Sequence, residues 1–250
     1  MSRVTAAVAV AAALACTAAC GGGDDKGGKQ SARKTASAAT ARASEGAKNA
    51  GRPEKSATAE APAPLTGARL EKAALADGEV KGYKVEKTDA ADVSLDSVPA
   101  TPDTCQPVAD MFLFTTDPAA QAGVGRSFTA KDDLDASVSS LALLSYRSGE
   151  ADRVLAGLRS AADECTEYKH TGYRYSGVKA LKDPGLGDES VAYRLKGSIE
   201  GADVPTTFTV VRIGTVVVSF SSMNMLDPEK VKVPAEIIEK QLAKVEKAVG

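Results

Sequence analysis

The sequence predicts an α+β domain: an antiparallel sheet with helices packed on one face and one disulfide. Three observations carry the prediction. After Cys165, runs rich in Val, Thr, Tyr, Phe and Ile follow one another closely, so neighbouring strands are joined by tight turns and run antiparallel. Segments of helical period, over Val154–Cys165 and Ile238–Val249, stand before and after those runs. Cys105 and Cys165 both fall on predicted helices.

In chain order, Thr66 caps a short helix that buries Leu70, Ala73 and Ala74 and closes at Asp77-Gly78. Tyr83–Thr88 reads as a strand. Asp103 or Thr104 starts a second helix with Cys105, Val108, Ala109 and Phe112 on one face. Pro107 fits there because it stands in the first turn, where no intrahelical N–H bond is lost. A strand pair follows, over Arg126–Ala130 and Ser137–Arg147. Its second member carries Val138, Ala142, Leu144 and Tyr146 on one side and Leu141 and Leu143 on the other, so it belongs in the middle of the sheet.

Ser148 caps the clearest helix of the chain. Glu150 and Asp152 stand in its first turn, where the macrodipole favours acids, and Val154, Leu155, Leu158, Ala162 and Cys165 repeat at helical spacing. Four strands come next: Glu167–Tyr175, Ser190–Ile199, Thr206–Ile213 and Thr215–Ser221. The last two form a hairpin turning at Ile213-Gly214. Asp227-Pro228 ends the sheet, and a terminal helix from near Pro234 presents Ile238, Leu242, Val245 and Val249.

This domain occupies residues 65–250; what precedes it has a different chemistry. Residues 1–19 read as an export signal, with Arg3 followed by eleven apolar or small residues from Val4 to Leu14. Eleven residues span only about half of a bilayer's hydrocarbon core, so the run is too short for a transmembrane helix. Leu14-Ala15-Cys16-Thr17-Ala18-Ala19-Cys20-Gly21 resembles a bacterial lipoprotein signal, in which small residues precede a cysteine that is acylated and becomes the mature N-terminus. That resemblance implies a palmitate-type anchor on Cys20, with Cys16 as the alternative. Lipidating Cys20 leaves Cys105 and Cys165 as an even pair outside the cell, whereas choosing Cys16 leaves Cys20 as a stray thiol. An ordinary secretory signal is the competing reading.

Residues 21–64 contain no Val, Ile, Leu, Met, Phe, Trp or Tyr. Such a segment has nothing to bury against its ordering entropy, so residues 20–64 are expected to form a lipidated cysteine with a disordered tether. The tether carries eight basic and five acidic residues, which leaves residues 65–250 at a net charge of −6. A basic tether can lie against anionic headgroups while an acidic domain is held off them; a plain spacer is the simpler expectation. The whole chain is at −2, from 31 basic and 33 acidic residues, without the basic excess of a nucleic-acid binder.

Bridging Cys105 to Cys165 ties the short second helix to the end of the main one. In the chain-entropy model a loop of this length contributes about 4 kcal/mol. Without C-x-x-C spacing or a neighbouring His, the pair reads as structural rather than catalytic or metal-binding.

Tyr146-Arg147-Ser148-Gly149 running to Cys165, then Gly187-Asp188-Glu189-Ser190, then Val211-Arg212-Ile213-Gly214-Thr215-Val216-Val217-Val218 look like the extracellular sensor domain of PknH-type receptor kinases. Related domains occur as free-standing actinobacterial lipoproteins. The resemblance covers residues 65–250 as a set of spaced short motifs. It implies a sheet cradling a cleft, with disulfides holding helices in place. One disulfide pair is available here where the kinase domain has two, and no ligand carries over.

Candidate chemistry is sparse. His170 is the only histidine, no G-x-S-x-G accompanies it, and it reads as a solvated or half-buried strand residue. Asp132, Asp133 and Asp135 suggest a calcium loop, but counted from Asp133 the sixth place is Val138 and the twelfth Leu144, where Gly and Glu are needed. Asp183-Pro184-Gly185-Leu186-Gly187-Asp188-Glu189 lacks a third glycine and a following helix, so it reads as a loop rather than a phosphate cradle. The expectation is a lipid-anchored module on the outer face of the cell membrane, without metal, cofactor, catalytic residues or nucleic-acid partner. It binds a small molecule, lipid or envelope component in a cleft. A protein-interaction module is the rival reading, and an envelope hydrolase with acids or a serine beside His170 is the third.

Overall fold

Alternation along three strands dictates the architecture. In the computed structural model, β1 (Tyr83–Lys87), β2 (Ala122–Ala130), β3 (Ser137–Ser145), β4 (Glu167–His170), β5 (Tyr173–Ala180), β6 (Glu189–Ile199), β7 (Ala202–Ile213) and β8 (Val216–Asn224) form one antiparallel sheet. Its order is β1-β2-β3-β8-β7-β6-β5-β4. The helices are α1 (Gly67–Ala73), α2 (Gln106–Asp110), α3 (Glu150–Glu164) and α4 (Ala235–Val249). The structure describes residues 63–88, 96–132, 135–199, 201–227 and 230–250. The predicted signal, Cys16, Cys20, the tether before Ala63, and Asp133 lie outside them.

β3 sits between β2 and β8, at the middle of the sheet, as its two-sided apolarity requires. Its register with β8 sets Leu141 opposite Phe220 and Leu143 opposite Val218. Leu141, Leu143, Val211, Val216, Val218 and Phe220 point to one face, where they pack with Leu70, Leu75, Ile237 and Val245 from the α1 and α4 side. Ala142, Leu144, Phe208, Val210 and Val217 point to the other, where they pack with Val108, Leu155 and Leu158 of α2 and α3. The expectation of helices on one face is therefore corrected: the sheet is covered on both. The cause is the alternation itself, because a strand apolar on both sides needs apolar cover on both sides. Every buried member of both cores lies between Leu65 and Val245.

Several boundaries differ locally. Glu167–Tyr175 is a hairpin rather than one strand, because Thr171 and Gly172 both take positive φ (50° and 84°) and reverse the chain. The second predicted helix begins as a 3-10 turn over Asp103–Cys105 before Gln106–Asp110 becomes α-helical. Ser148 does not cap α3; Gly149 does, at φ 77°, and the Glu150 carboxylate accepts the Arg147 N–H instead. Thr66 caps α1 as expected, accepting from the Arg69 N–H. At the other end of that helix, the buried Gln241 of α4 accepts from the Leu75 N–H at 2.9 Å and donates to the Ala73 carbonyl at 2.8 Å. Gln241 satisfies two backbone groups that water cannot reach.

Candidate functional site

A disulfide ties together the two elements between which a cavity lies. Cys105 ends the 3-10 turn that leads into α2, and Cys165 directly follows α3; their Cα atoms are 5.2 Å apart. The bridge closes a 60-residue separation and fixes one end of the gap between the two helices. Its contribution is about 4 kcal/mol in the chain-entropy model. Beyond it, α2, α3 and the Thr116-Asp117 segment enclose a cavity of about 260 Å³. Met111, Pro107, Val154 and Leu158 give it apolar walls, while Asp103, Asp110 and Asp117 contribute carboxylates and no basic residue lines it. The volume lies just below the range of drug-sized pockets (about 300–1,000 Å³), which suits a compact solute better than an acyl chain.

Gly157 forms part of the wall from the interior of α3. A Cβ placed there meets nothing within 4 Å. Glycine in a helix interior costs up to about 1 kcal/mol relative to alanine, so here helix propensity is given up where the side chain would project into open space. This was the one signal in the sequence that marks the cavity, and the sequence reading passed over it.

Beneath the cavity the polar groups are wired together. Asp110, 1% exposed at the end of α2, accepts on Oδ1 from Ser97 Oγ (2.6 Å), Gln106 Nε2 (2.8 Å) and Thr115 Oγ1 (3.0 Å). Gln106 also accepts from the Ala100 N–H and donates to the Val98 carbonyl, which pins the segment leading into the 3-10 turn. Three donors on one carboxylate oxygen offset most of the cost of burying the charge.

His170 departs from its expectation: it is buried, 2% exposed, on the inward side of edge strand β4. Neither ring nitrogen has a partner within hydrogen-bonding geometry among the described residues. Burial pushes its pKa down, opposed by the Asp110 carboxylate. The wiring is not that of a hydrolytic triad. Ser97 donates directly to Asp110, whereas a triad places the imidazole between nucleophile and acid.

An aromatic ladder connects this region to the sheet. Tyr168 stacks on Tyr175 at 4.8 Å, Phe112 meets Tyr175 and Phe208 at 4.9 Å each, and Tyr193 stacks on Phe208 at 4.9 Å. Such pairs add about 0.5–1.5 kcal/mol each beyond burial, so the floor beneath α2 is stiff. Burial raises the pKa of Tyr168 and Tyr193 far above the usual phenol value, so both stay neutral.

The other singled-out residues are structural here. Asp183 accepts from the Gly185 N–H and from the Ser190 hydroxyl, closing the loop before β6. Asp188 accepts from the Gly214 N–H at 2.7 Å and pairs with Arg212 at 3.1 Å. Gly187 is required in that loop, since a Cβ there falls 2.5 Å from the Arg212 carbonyl. Asp135 accepts from the Ser137 N–H. Among the described residues no group of three His, Cys, Asp or Glu is placed to hold a metal ion, and no helix is long and apolar enough to cross a membrane.

No family model and no curated protein matches the chain. Among solved structures, an Rv0999 ortholog from Mycobacterium smegmatis aligns with TM-score 0.37 at 15% identity, over 68% of this chain and 88% of its own. The extracellular domain of PknH from Mycobacterium tuberculosis aligns with TM-score 0.50 at 13% identity, over 75% of this chain and 97% of that one. The fold of residues 65–250 is thus similar to that of the PknH extracellular domain.

Proposed function

We propose that this chain is a membrane-anchored extracytoplasmic lipoprotein whose folded domain is a non-catalytic, sensor-like binding module. In this reading Cys20 carries the lipid, residues 21–64 are the tether, and the cavity between α2 and α3 takes a small ligand. The observation that carries it is the cavity itself: it lies between two helices that a disulfide ties together at one end, with a glycine opened toward the space between them. The disulfide suits an oxidising compartment, and the short apolar run before Cys20 suits export followed by acylation. Asp103, Asp110 and Asp117 favour a ligand bearing a positive or hydrogen-bond-donating group.

Two measurements test the proposal. Intact-mass analysis of the native chain is expected to show an N-terminus at Cys20 with acyl chains attached; an unmodified Cys20 refutes the anchor. Thermal-shift screening of the chain against fractions of a cell-envelope extract is expected to find a stabilising small-molecule fraction. A flat response to every fraction refutes the pocket.

One observation favours a protein-interaction module as the second reading. Met225 and Leu226 are 66% and 80% exposed just beyond β8, in a turn held by the Asn224 side chain. Photo-crosslinking from position 226 distinguishes the two, since that reading requires a captured membrane protein.

A further inference from the structure

A basic groove lies between α1 and α4, on the opposite face of the sheet from the cavity. It measures about 330 Å³ and is lined by Arg69, Lys72, Ala73, Lys244, Lys247 and Ala248, with no acidic residue. Lys244 is committed to Glu79, at 2.7 Å, and Arg69 donates one N–H to the Ala248 carbonyl. Lys72 and Lys247 are exposed and have no ion-pair partner among the described residues. Each stands in the last turn of its helix, where one cation complements the macrodipole. Four cations around one groove exceed that need, in a domain whose net charge is −6.

The position of the groove supplies the second half of the argument. The chain joins the fold at Leu65, whose N–H donates to Ser145 Oγ at the end of β3, and α1 follows at once. Arg69 is thus the fifth residue beyond the tether. The C-terminal end of α4 reaches the same end of the sheet, with Val249 against the Gly214 turn between β7 and β8. Ser137, at the other end of β3 beside Asn224, is about 27 Å away at 3.4 Å per residue.

We propose that the α1–α4 groove is the face by which the domain meets an anionic membrane surface, with lipid phosphates taken between Arg69, Lys72 and Lys247. The proposal rests on the lipid-anchored reading above for why this end faces a bilayer. Charges beyond about 8 Å are screened at physiological salt, so the local positive groove governs contact even though the domain as a whole is acidic. The domain is then oriented, with its basic end on the headgroups and the Met225-Leu226 turn directed away.

Vesicle flotation of the unacylated chain from residue 21 tests this. Both cores are built from residues after the tether, so this chain keeps its fold without the lipid. It is expected to float with vesicles that are one-third phosphatidylglycerol in phosphatidylcholine, to be released by added salt, and not to float with phosphatidylcholine alone. Lys72→Glu with Lys247→Glu is expected to weaken the anionic binding by about tenfold or more, with the melting temperature unchanged. Should the double reversal unfold the chain, Lys72→Gln with Lys247→Gln is expected to show a smaller loss in the same direction. Unchanged binding in the variants assigns any attraction to the tether and overturns the proposal, as does equal binding to neutral vesicles. A melting-temperature rise with inorganic phosphate that the variants lose, without vesicle binding, makes the groove a soluble-phosphate site and also overturns it. Because this chain carries no lipid, an unmodified Cys20 in the native protein leaves the result interpretable.

Discussion

The two faces of the sheet draw alternate residues from the same strands and arrive at different chemistry. The face under α1 and α4 is an apolar core around Leu70, Phe128, Leu143, Val218 and Phe220, and both polar atoms of its buried Gln241 side chain have backbone partners. The face under α2 and α3 holds the disulfide, the aromatic ladder, the buried Asp110 and His170, and the cavity. The difference teaches how a single sheet divides labour. One face supplies stability mainly through apolar packing. The other is tied by a covalent bridge and stacked rings, and it retains a cavity and buried polar groups that packing alone does not favour.

The contrast can be broken most forcefully at the disulfide. Cys105→Ala with Cys165→Ala is expected to lower unfolding stability by about 4 kcal/mol in urea titrations. Hydrogen exchange is expected to rise first in α2 and the end of α3, while α1 and α4 keep their protection. Next in size, Leu143→Ala is expected to cost about 3 kcal/mol by leaving a void in the apolar core, with ligand response in the α2–α3 cavity unchanged. Leu143 is fully buried, and its whole contact surface belongs to the other face.

Acid sharpens the same comparison, because the buried His170 of the α2–α3 face responds at higher pH than the paired carboxylates Glu71 and Glu79 on the α1–α4 side. His170 has its pKa lowered from 6.5 by burial, so the unfolded chain takes up this proton first. Its contribution is complete above 6.5 and is lost as pH falls from there toward the folded value. Glu71 and Glu79 are lowered from 4.5, chiefly by Arg126 and Lys244 respectively, so their contribution persists until pH falls below 4.5. Urea midpoints measured against pH are therefore expected to decline in two stages. His170→Gln is expected to flatten the first stage and leave the second. The smallest effect is a gain: Gly157→Ala is expected to raise stability by up to about 1 kcal/mol, since the added methyl enters open space in a helix interior.

How much of this was legible depended on whether a feature is local. β3, the β7–β8 hairpin, α3 and α4 were readable because their alternation or helical period is carried by consecutive residues such as Val216-Val217-Val218. The cysteine pair was readable by counting. The placement of helices on both faces was implied by Leu141 and Leu143 alternating with Ala142 and Leu144, although the expectation did not follow that implication through. α2 was blurred because five residues behind a 3-10 turn and Pro107 show too little period. The turn at Thr171-Gly172 had its glycine as a signal, but a seemingly continuous run of β-formers covered it. His170, Asp110 and Gln241 were illegible as buried groups, because their burial depends on partners far away in sequence. The cavity was equally hidden, apart from Gly157.

The account stands most directly on the α2–α3 cavity as a ligand site, and native mass spectrometry tests it. The chain and its Gly157→Leu variant are incubated with the small-molecule fraction of a cell-envelope extract. The account predicts a discrete small-molecule adduct on the unaltered chain that the leucine side chain, filling the cavity, abolishes. An adduct retained by Gly157→Leu, or no adduct on either chain, contradicts it.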